Sequence, residues 1–122
     1  MAVYTPIDDA GSYFNTKLYT GTGSSNAQTG VGFQPDFTWI KNRDATDFHV
    51  LTDAVRGATN YIVSDSTAAE VTNAESLKSF DSDGFTVGTM NEVNTNTEAF
   101  VAWNWKANGA GSSNTDGSIT ST

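Results

Sequence analysis

Three residue patterns in this chain have side chains that could catalyse a reaction or bind a metal: a single histidine, pairs of carboxylates and a short acidic turn. His49 is the only histidine of the sequence. A serine hydrolase needs an imidazole that is hydrogen-bonded to both a serine and a carboxylate, and no G-x-S-x-G sequence is present to supply that serine. We therefore expect His49 to be a half-buried strand residue rather than a catalytic base.

Paired carboxylates hydrolyse glycosidic bonds when one acts as an acid and the other as a base or nucleophile. Three pairs are close in the sequence: Asp8 with Asp9, Asp44 with Asp47, and Asp81 with Asp83. All three lie in polar segments, where solvated surface charge is the expected state. The sequence therefore predicts no catalytic residue and no enzymatic activity.

The acidic turn at residues 81–84 resembles part of a calcium loop. An EF-hand loop needs a bidentate acid at its twelfth position. If Gly84 occupies the sixth position, the twelfth is Met90, which cannot serve. We expect a hairpin turn in which Gly84 is able to adopt a positive φ. With no cysteine, the chain has no cysteine-ligated zinc site, and its one histidine leaves little room for a histidine-based site, so we expect no metal site.

Large aromatic side chains either fill a core or stack on sugar rings. Val101, Trp103 and Trp105 alternate along one predicted strand and therefore share a face. We expect this face to be buried, with Trp39, Trp103 and Trp105 in the core. The alternative is a sugar platform, for which Trp39 and Tyr61 are the candidate carbohydrate-binding residues.

Alternating runs of aromatic and β-branched residues indicate strands along the whole chain. About seven are predicted, at residues 14–19, 37–41, 48–51, 61–63, 77–80, 85–87 and 99–105. Short strands separated by turn-forming residues are typical of a sandwich or jelly roll. The expected fold class is all-β, an antiparallel β-sandwich that is jelly-roll-like.

Helix signals are weak, because Thr, Asn and Gly are poor helix formers. The capping-box pattern T-x-x-E occurs at residues 67–70 and again at 72–75. Neither is followed by a long apolar stripe. We expect at most one or two short helical turns here, and we favour a structured loop.

The chain is acidic, since 6 Lys and Arg residues against 14 Asp and Glu residues give a net charge of −8 at pH 7. A phosphate backbone is repelled by such a protein, so we exclude nucleic-acid binding as its main function. Cations are few, and we expect Arg56 to pair with an acid and to shape a turn.

The composition changes after residue 107, because residues 108–117 contain no large side chain. We predict a β-sandwich domain at residues 1–107 and a Gly/Ser/Asn-rich linker at residues 108–122 that leads into a further module. The first nine residues have neither the basic region nor the hydrophobic stretch of a signal peptide. No apolar run is long enough to span a membrane.

Several sequence blocks, taken together and in order, resemble a domain of unknown function that is found in bacteriophage virion proteins. The domain is common in phages of marine bacteria and cyanobacteria, often in chains described as tail-fibre or structural. The blocks are residues 19–23, 29–43, 53–58, 79–88 and 101–107. The resemblance covers nearly the whole chain.

The resemblance implies a non-enzymatic structural module of the virion, which is an extracellular particle made in the host cytoplasm. Such a module would anchor a tail fibre or decorate the capsid or tail by contacts with other virion proteins. Phage fibres are usually closed homo-oligomers, so a homo-oligomer is implied, with a trimer favoured. No cofactor, nucleic-acid partner or membrane partner is implied. The alternative is a lectin-like carbohydrate-binding module that recognises a host surface glycan.

Overall fold

β-Strands are the main regular element of the chain described by the computed structural model, which covers residues 9–107. The strands are β1 (Phe14–Thr20), β2 (Asn26–Gln28), β3 (Phe37–Asn42), β4 (Val50–Asp53), β5 (Asn60–Val63), β6 (Val71–Thr72), β7 (Leu77–Asp81), β8 (Gly84–Val87) and β9 (Ala99–Trp105). A 3₁₀ turn at Ala10–Ser12 and a short helix, α1 (Asn91–Asn94), complete the regular elements of these residues. The all-β prediction is confirmed. Two strands beyond the predicted seven, β2 and β6, are too short to leave an alternating pattern.

The strands form two antiparallel sheets. The larger sheet has six strands in the order β1-β9-β3-β4-β5-β6, and the smaller has three in the order β2-β8-β7. Side chains from both sheets meet in one hydrophobic core. The prediction of an antiparallel β-sandwich is therefore confirmed.

The core lies between the two sheets. Its largest buried side chains include Phe85 from the small sheet and Phe100 and Ile40 from the large one. The Tyr19 ring stacks on Phe100 with centroids 5.3 Å apart and meets Phe85 edge-on at 6.0 Å. Its hydroxyl donates to the Val93 carbonyl at 2.7 Å, so the buried ring keeps its polar group bonded. Burial also raises the pKa of Tyr19.

Strand β9 buries the face that the sequence pattern did not favour. Phe100, Ala102 and Asn104 are buried, whereas Trp103 and Trp105 are only partly buried and point away from the core. The prediction that the tryptophans fill the core is therefore wrong. The alternation itself is confirmed, but the side that faces the core is the opposite one.

Strand β3 follows the same rule, because Thr38, Ile40 and Asn42 are buried while Trp39 faces outward. The inner polar groups are accommodated by bonding to one another. The Thr38 hydroxyl donates to Asn104 Oδ1 at 2.9 Å. Since hydrogen-bonded polar groups are tolerated in a core, these strands are free to place their largest rings on the outer side.

The two capping-box segments are not helical, so the structured loop favoured by the sequence is the alternative that is observed. Residues 67–70 are a loop, and residues 72–75 run from β6 into a turn. Helix α1 lies outside both capping-box segments, and two of its four residues, Val93 and Asn94, are buried. The Asn94 amide donates to the carbonyls of Ser24 and Gly88 at 2.5 and 2.8 Å, which fixes α1 against two loops.

Two sequence predictions fall outside the described residues. Asp8, one member of the first carboxylate pair, precedes residue 9, and the predicted linker at residues 108–122 follows residue 107. Within the described range, none of the helical segments has the length and hydrophobicity needed to cross a membrane.

Candidate functional site

The outward side of the six-stranded sheet carries a group of rings that we name the outer aromatic face. It consists of Phe14, Phe37, Trp39, Trp103 and Trp105. In the strand register, Trp39 lies opposite Trp103, and Phe14 and Phe37 both lie opposite Trp105. Because β1, β9 and β3 are neighbours in the sheet, the five side chains form one continuous surface.

None of these five rings is buried. Phe14 is 38% exposed, and the other four are half-buried. Leu18, which is 58% exposed and pairs with Val101, extends the apolar surface along β1. A continuous apolar patch of this kind on a folded protein indicates an interaction surface more often than a random surface feature.

The rings of the outer aromatic face pack against one another at steep angles. Phe14 and Phe37 flank Trp105 with centroid distances of 5.0 Å each and interplanar angles of 55° and 51°. Trp39 meets Trp103 edge-on, at 5.6 Å and 73°. Aromatic pairs favour such tilted arrangements. The rings consequently do not present the coplanar faces that a row of stacked sugar rings would need.

His49 holds the Trp39 ring in place. The Trp39 indole N–H donates to His49 Nδ1 at 3.0 Å, and the two rings meet edge-on at 5.8 Å. Since Nδ1 accepts this bond, the neutral imidazole carries its proton on Nε2. The histidine is half-buried, as predicted, although it immediately precedes β4 instead of lying within it. This geometry indicates that the role of His49 is to position the Trp39 ring.

Trp39 and Tyr61 lie on opposite faces of the large sheet. Trp39 pairs with Leu51, and Leu51 pairs with Ile62, so these three share the outer face. Tyr61 pairs with Thr52, which is buried on the inner face, and packs against the core. The structure therefore does not bring the two predicted carbohydrate-binding residues together.

The acidic turn at residues 81–84 binds the protein's own backbone. The Asp83 carboxylate accepts hydrogen bonds from the N–H groups of Gly30 and Gly32 at 2.9 and 2.7 Å. These bonds stabilise the charged form and lower the pKa of Asp83. The predicted hairpin turn between β7 and β8 is present.

Glycine is required at position 84 because there is no room for a side chain, and not because the backbone has a positive φ. Gly84 is absent from the glycines with positive φ among the described residues. A Cβ at this position would lie 1.9 Å from the Gln28 carbonyl oxygen, in contact with the neighbouring strand. The conformational reason that the sequence suggests for Gly84 is therefore wrong.

The other candidate acids also bond to the chain itself. Asp81 accepts from two hydroxyls of its own hairpin at 2.8 and 2.6 Å. Asp44 accepts from the N–H of the first residue of β9 at 2.7 Å, and Asp47 accepts from the buried Asn42 amide at 2.8 Å. Among residues 9–107, no three His, Cys, Asp or Glu side chains are grouped closely enough to hold a metal ion.

Arg56 forms the predicted ion pair and shapes its turn. Its Nε lies 2.6 Å from Asp53 Oδ2, and its Nη1 lies 2.9 Å from Glu70 Oε2. A third bond runs from Nη2 to the Leu51 carbonyl at 3.1 Å. The guanidinium thereby ties the end of β4 to the loop that precedes β6, which is a structural role.

Sequence reasoning missed two surface features, a ring cluster and a cavity. Phe14 and Phe37 join Trp105 in one cluster although they come from strands far apart in the sequence. A cavity beside Tyr61 also receives Glu92 from α1. Alternation along one strand predicts which residues share a face, but it contains no information on strand order or on loop packing.

Comparison with known proteins gives a family for this chain. It belongs to the family described as a domain of unknown function (DUF7483), which matches residues 9–122. No curated protein matches the chain, and no solved structure matches it. The family assignment brings no activity with it, so function has to be argued from the geometry.

Proposed function

We propose that this member of the DUF7483 family is a non-enzymatic structural module of a phage virion, which anchors a tail fibre or decorates the capsid or tail. The observation that carries the proposal is the outer aromatic face, a continuous apolar surface of five rings on three adjacent strands. Interfaces between proteins are enriched in aromatic residues at their centres. The virion setting is supported by the resemblance of the sequence blocks, and a second copy of the chain is the first expected partner.

Ring geometry favours a protein partner over a carbohydrate. The rings around Trp105 are tilted by more than 50°, and Trp39 and Trp103 are nearly perpendicular. Interdigitating side chains of a second protein fill such an uneven surface well, whereas stacking on sugar rings requires exposed flat faces. The indole N–H of Trp39 is also already bonded to His49, so it is not free to bind a sugar hydroxyl.

The charge distribution is compatible with self-association. Although the chain carries a net charge of −8, the residues paired with the rings on the flanking strands are mostly uncharged. Thr16 pairs with Trp103 and Leu51 pairs with Trp39. Asp53, opposite Phe37, is paired with Arg56, which also pairs with Glu70. Two copies approaching through this face therefore bring few unpaired carboxylates together.

The polar side chains that could do chemistry support a non-enzymatic role. His49 bonds to Trp39, and the described candidate carboxylates accept hydrogen bonds from the protein's own backbone or side chains. Groups with structural partners of this kind are not held ready for a substrate. The proposal accordingly needs no catalytic group, cofactor or metal.

The self-association part is tested by sedimentation velocity on the purified chain over a range of concentrations. We expect a homo-oligomer, with a trimer favoured, that dissociates when Trp39→Ser and Trp103→Ser are combined. The matched control is Val55→Ser, which removes a side chain that is 70% exposed in a turn outside the face. A circular dichroism spectrum checks that each variant is folded. A wild-type chain that is monomeric throughout, or a double variant that still assembles, contradicts docking through this face.

The virion part is tested by cryo-electron microscopy of the particle. We expect this module at a fixed position, with residues 1–20 in contact with another virion protein. Its absence from the particle, or a module without such contacts, contradicts the anchoring function even if the chain self-associates in solution.

A lectin-like module is the second candidate, and the partial exposure of Trp39 is the observation that favours it. Binding on a glycan array that disappears in a folded Trp39→Ala variant would support this candidate. The same array result with an unchanged Trp39→Ala variant would exclude Trp39 as the binding residue.

A further inference from the structure

A cavity of about 220 Å³ lies at the β6 end of the six-stranded sheet. It is formed by β5, by the loop that leads to β6 and by helix α1. Apolar and aromatic side chains make most of its wall: Phe48, Tyr61, Ile62, Val71 and Met90. The cavity is separate from the outer aromatic face, so what it binds does not depend on the function proposed above.

Exposed apolar surface is concentrated around this cavity. Phe48, Val71 and Ile62 are 49%, 43% and 39% exposed, and all three line it. Large apolar side chains with this much contact to water are a cost to the folded protein unless something covers them. Their convergence on one concave site points to a ligand with an apolar body.

One carboxylate, that of Glu92, also lines the cavity. Neither a hydrogen bond nor an ion pair joins this carboxylate to another residue in the described part of the chain. The pKa of the Tyr61 hydroxyl is raised by burial and further by the negative charge of Glu92, so the two groups are close enough to interact. No Lys or Arg lines the cavity. A ligand that enters it meets an uncompensated negative charge.

Size limits the ligand further. Pockets for drug-sized ligands have volumes of roughly 300 to 1,000 Å³, and this cavity is smaller. A whole oligosaccharide does not fit inside it, whereas one small head group does. Aromatic rings beside a carboxylate form a favourable environment for an organic cation, because the ring faces and the carboxylate both attract positive charge.

We propose that this cavity binds an alkylammonium group, with the cation beside Glu92 and its alkyl groups against Phe48 and Tyr61. Two sources share this chemistry: the trimethylammonium of choline-type head groups and the side-chain ammonium of lysine. The trimethylammonium carries its charge inside a shell of methyl groups, whereas lysine carries it on an exposed ammonium at the end of an apolar chain. The ordinary primary ammonium is more strongly hydrated, so we expect the quaternary group to bind more tightly.

The test is titration of the ¹⁵N-labelled chain by nuclear magnetic resonance with choline and, separately, with Nα-acetyl-lysine methyl ester. We expect saturable shifts of the backbone amides of Tyr61, Val71 and Glu92 at millimolar ligand. 3,3-Dimethyl-1-butanol, which has the shape of choline without its charge, serves as the matched ligand control. We expect this alcohol to bind at least about fivefold more weakly than choline, because it lacks the positive charge that contacts the rings and the carboxylate. Tighter binding of choline than of the lysine ester identifies the quaternary source, and the reverse order identifies lysine.

Variants separate charge from cavity shape. Glu92→Gln keeps the side-chain size and is expected to weaken choline binding about fivefold. Tyr61→Leu removes a ring and should act in the same direction. Glu70→Gln, which removes an equal charge from a side chain that bonds to Arg56 outside the cavity, should leave binding unchanged. Failure of both cations to produce saturable shifts, or equal binding of the neutral alcohol, overturns the proposal.

Discussion

Thr38 and Thr52 lie directly opposite each other on β3 and β4, and both are fully buried, yet only Thr38 has a partner for its hydroxyl. Thr38 donates to Asn104 Oδ1 at 2.9 Å. The Thr52 hydroxyl is a buried side-chain polar atom without a hydrogen-bond partner among the described residues. Two paired threonines of one sheet therefore differ, because the hydroxyl of Thr38 is hydrogen-bonded and that of Thr52 is not.

Thr52→Val is expected to stabilise the protein. Valine has nearly the same shape and removes a buried hydroxyl that pays a desolvation cost without a bond in return. We expect the free energy of unfolding to rise by about 1 kcal/mol, measured by urea denaturation. A decrease would show that the Thr52 hydroxyl is satisfied in solution.

Thr38→Val is the matched comparison and is expected to act in the opposite direction. It keeps the shape but leaves Asn104 Oδ1 without its donor in the core. We expect the free energy of unfolding to fall by about 1 to 2 kcal/mol. Equal effects of the two substitutions would contradict the assignment of the hydrogen bond.

The sequence pattern predicted where the strands lie but not which side of each strand faces the core. Strand β9 was predicted at its observed bounds, residues 99–105, and the alternation of Trp103 with Asn104 is real. Hydrophobicity alone assigns Trp103 to the core. The observed choice depends on Asn104 finding Thr38 on a strand 66 residues earlier, and no local pattern contains that pairing.

Helix α1 and the Tyr61 cavity show the same limit. The local sequence around α1 has weak helix propensity, and the helix exists because Asn94 bonds to loops that are distant in sequence. Tyr61 was singled out as aromatic, but its neighbour Glu92 is 31 positions away and joins it only through the packing of α1. Its residue type was enough to make Tyr61 a candidate binding residue but not to predict that it lies beside Glu92 in a cavity.

Gly84→Ala is expected to be strongly destabilising. The added Cβ would meet the Gln28 carbonyl oxygen at 1.9 Å, and this oxygen belongs to the backbone of β2, which cannot move without breaking the small sheet. We expect a loss of about 3 kcal/mol or more, which places the substitution among the severe ones. Thermal denaturation followed by circular dichroism measures it.

Gly11→Ala is the control for this prediction. Its Cβ would approach only the side-chain oxygen of Asp9, at 3.3 Å, on an exposed turn. We expect a change within about 0.5 kcal/mol of zero. A comparable loss in both variants would mean that contact with Gln28 is not the cause.

The ion pair between Arg56 and Asp53 predicts a pH-dependent contribution to stability. Burial raises the pKa of Asp53, but the backbone and side-chain hydrogen bonds from Arg56 outweigh it and leave the pKa below its usual value. A carboxylate whose pKa is lowered by folding stabilises the folded state at pH values above its pKa in the unfolded chain, which is about 3.9. This contribution is lost as the pH falls through the pKa of the folded protein. Arg56→Gln should therefore cost about 1 kcal/mol at pH 7, and less below about pH 4.

The measurement is urea denaturation of wild type and Arg56→Gln between neutral and acidic pH. Both partners of the pair are 25% exposed, which limits the size of the effect. Lys78→Gln is the control, because Lys78 lies 3.8 Å from Glu75 in a looser exposed pair and should contribute nothing measurable. A difference between wild type and Arg56→Gln that stays constant to acidic pH would show that only the bond to the Leu51 carbonyl matters.

Thr97 is expected to store backbone strain that glycine would relieve. Its φ is 70°, the only positive value at a non-glycine residue in the described range, and a β-branched side chain is poorly suited to it. The N–H of Thr97 donates to the Gly21 carbonyl at 2.9 Å, which holds the turn before β9 in this conformation. Thr97→Gly should raise the free energy of unfolding by about 0.5 to 1 kcal/mol, the relief exceeding the extra entropy of the unfolded chain. Thr46→Gly, at an exposed residue with ordinary φ, should lower it, and a loss of stability at both positions would disprove the strain.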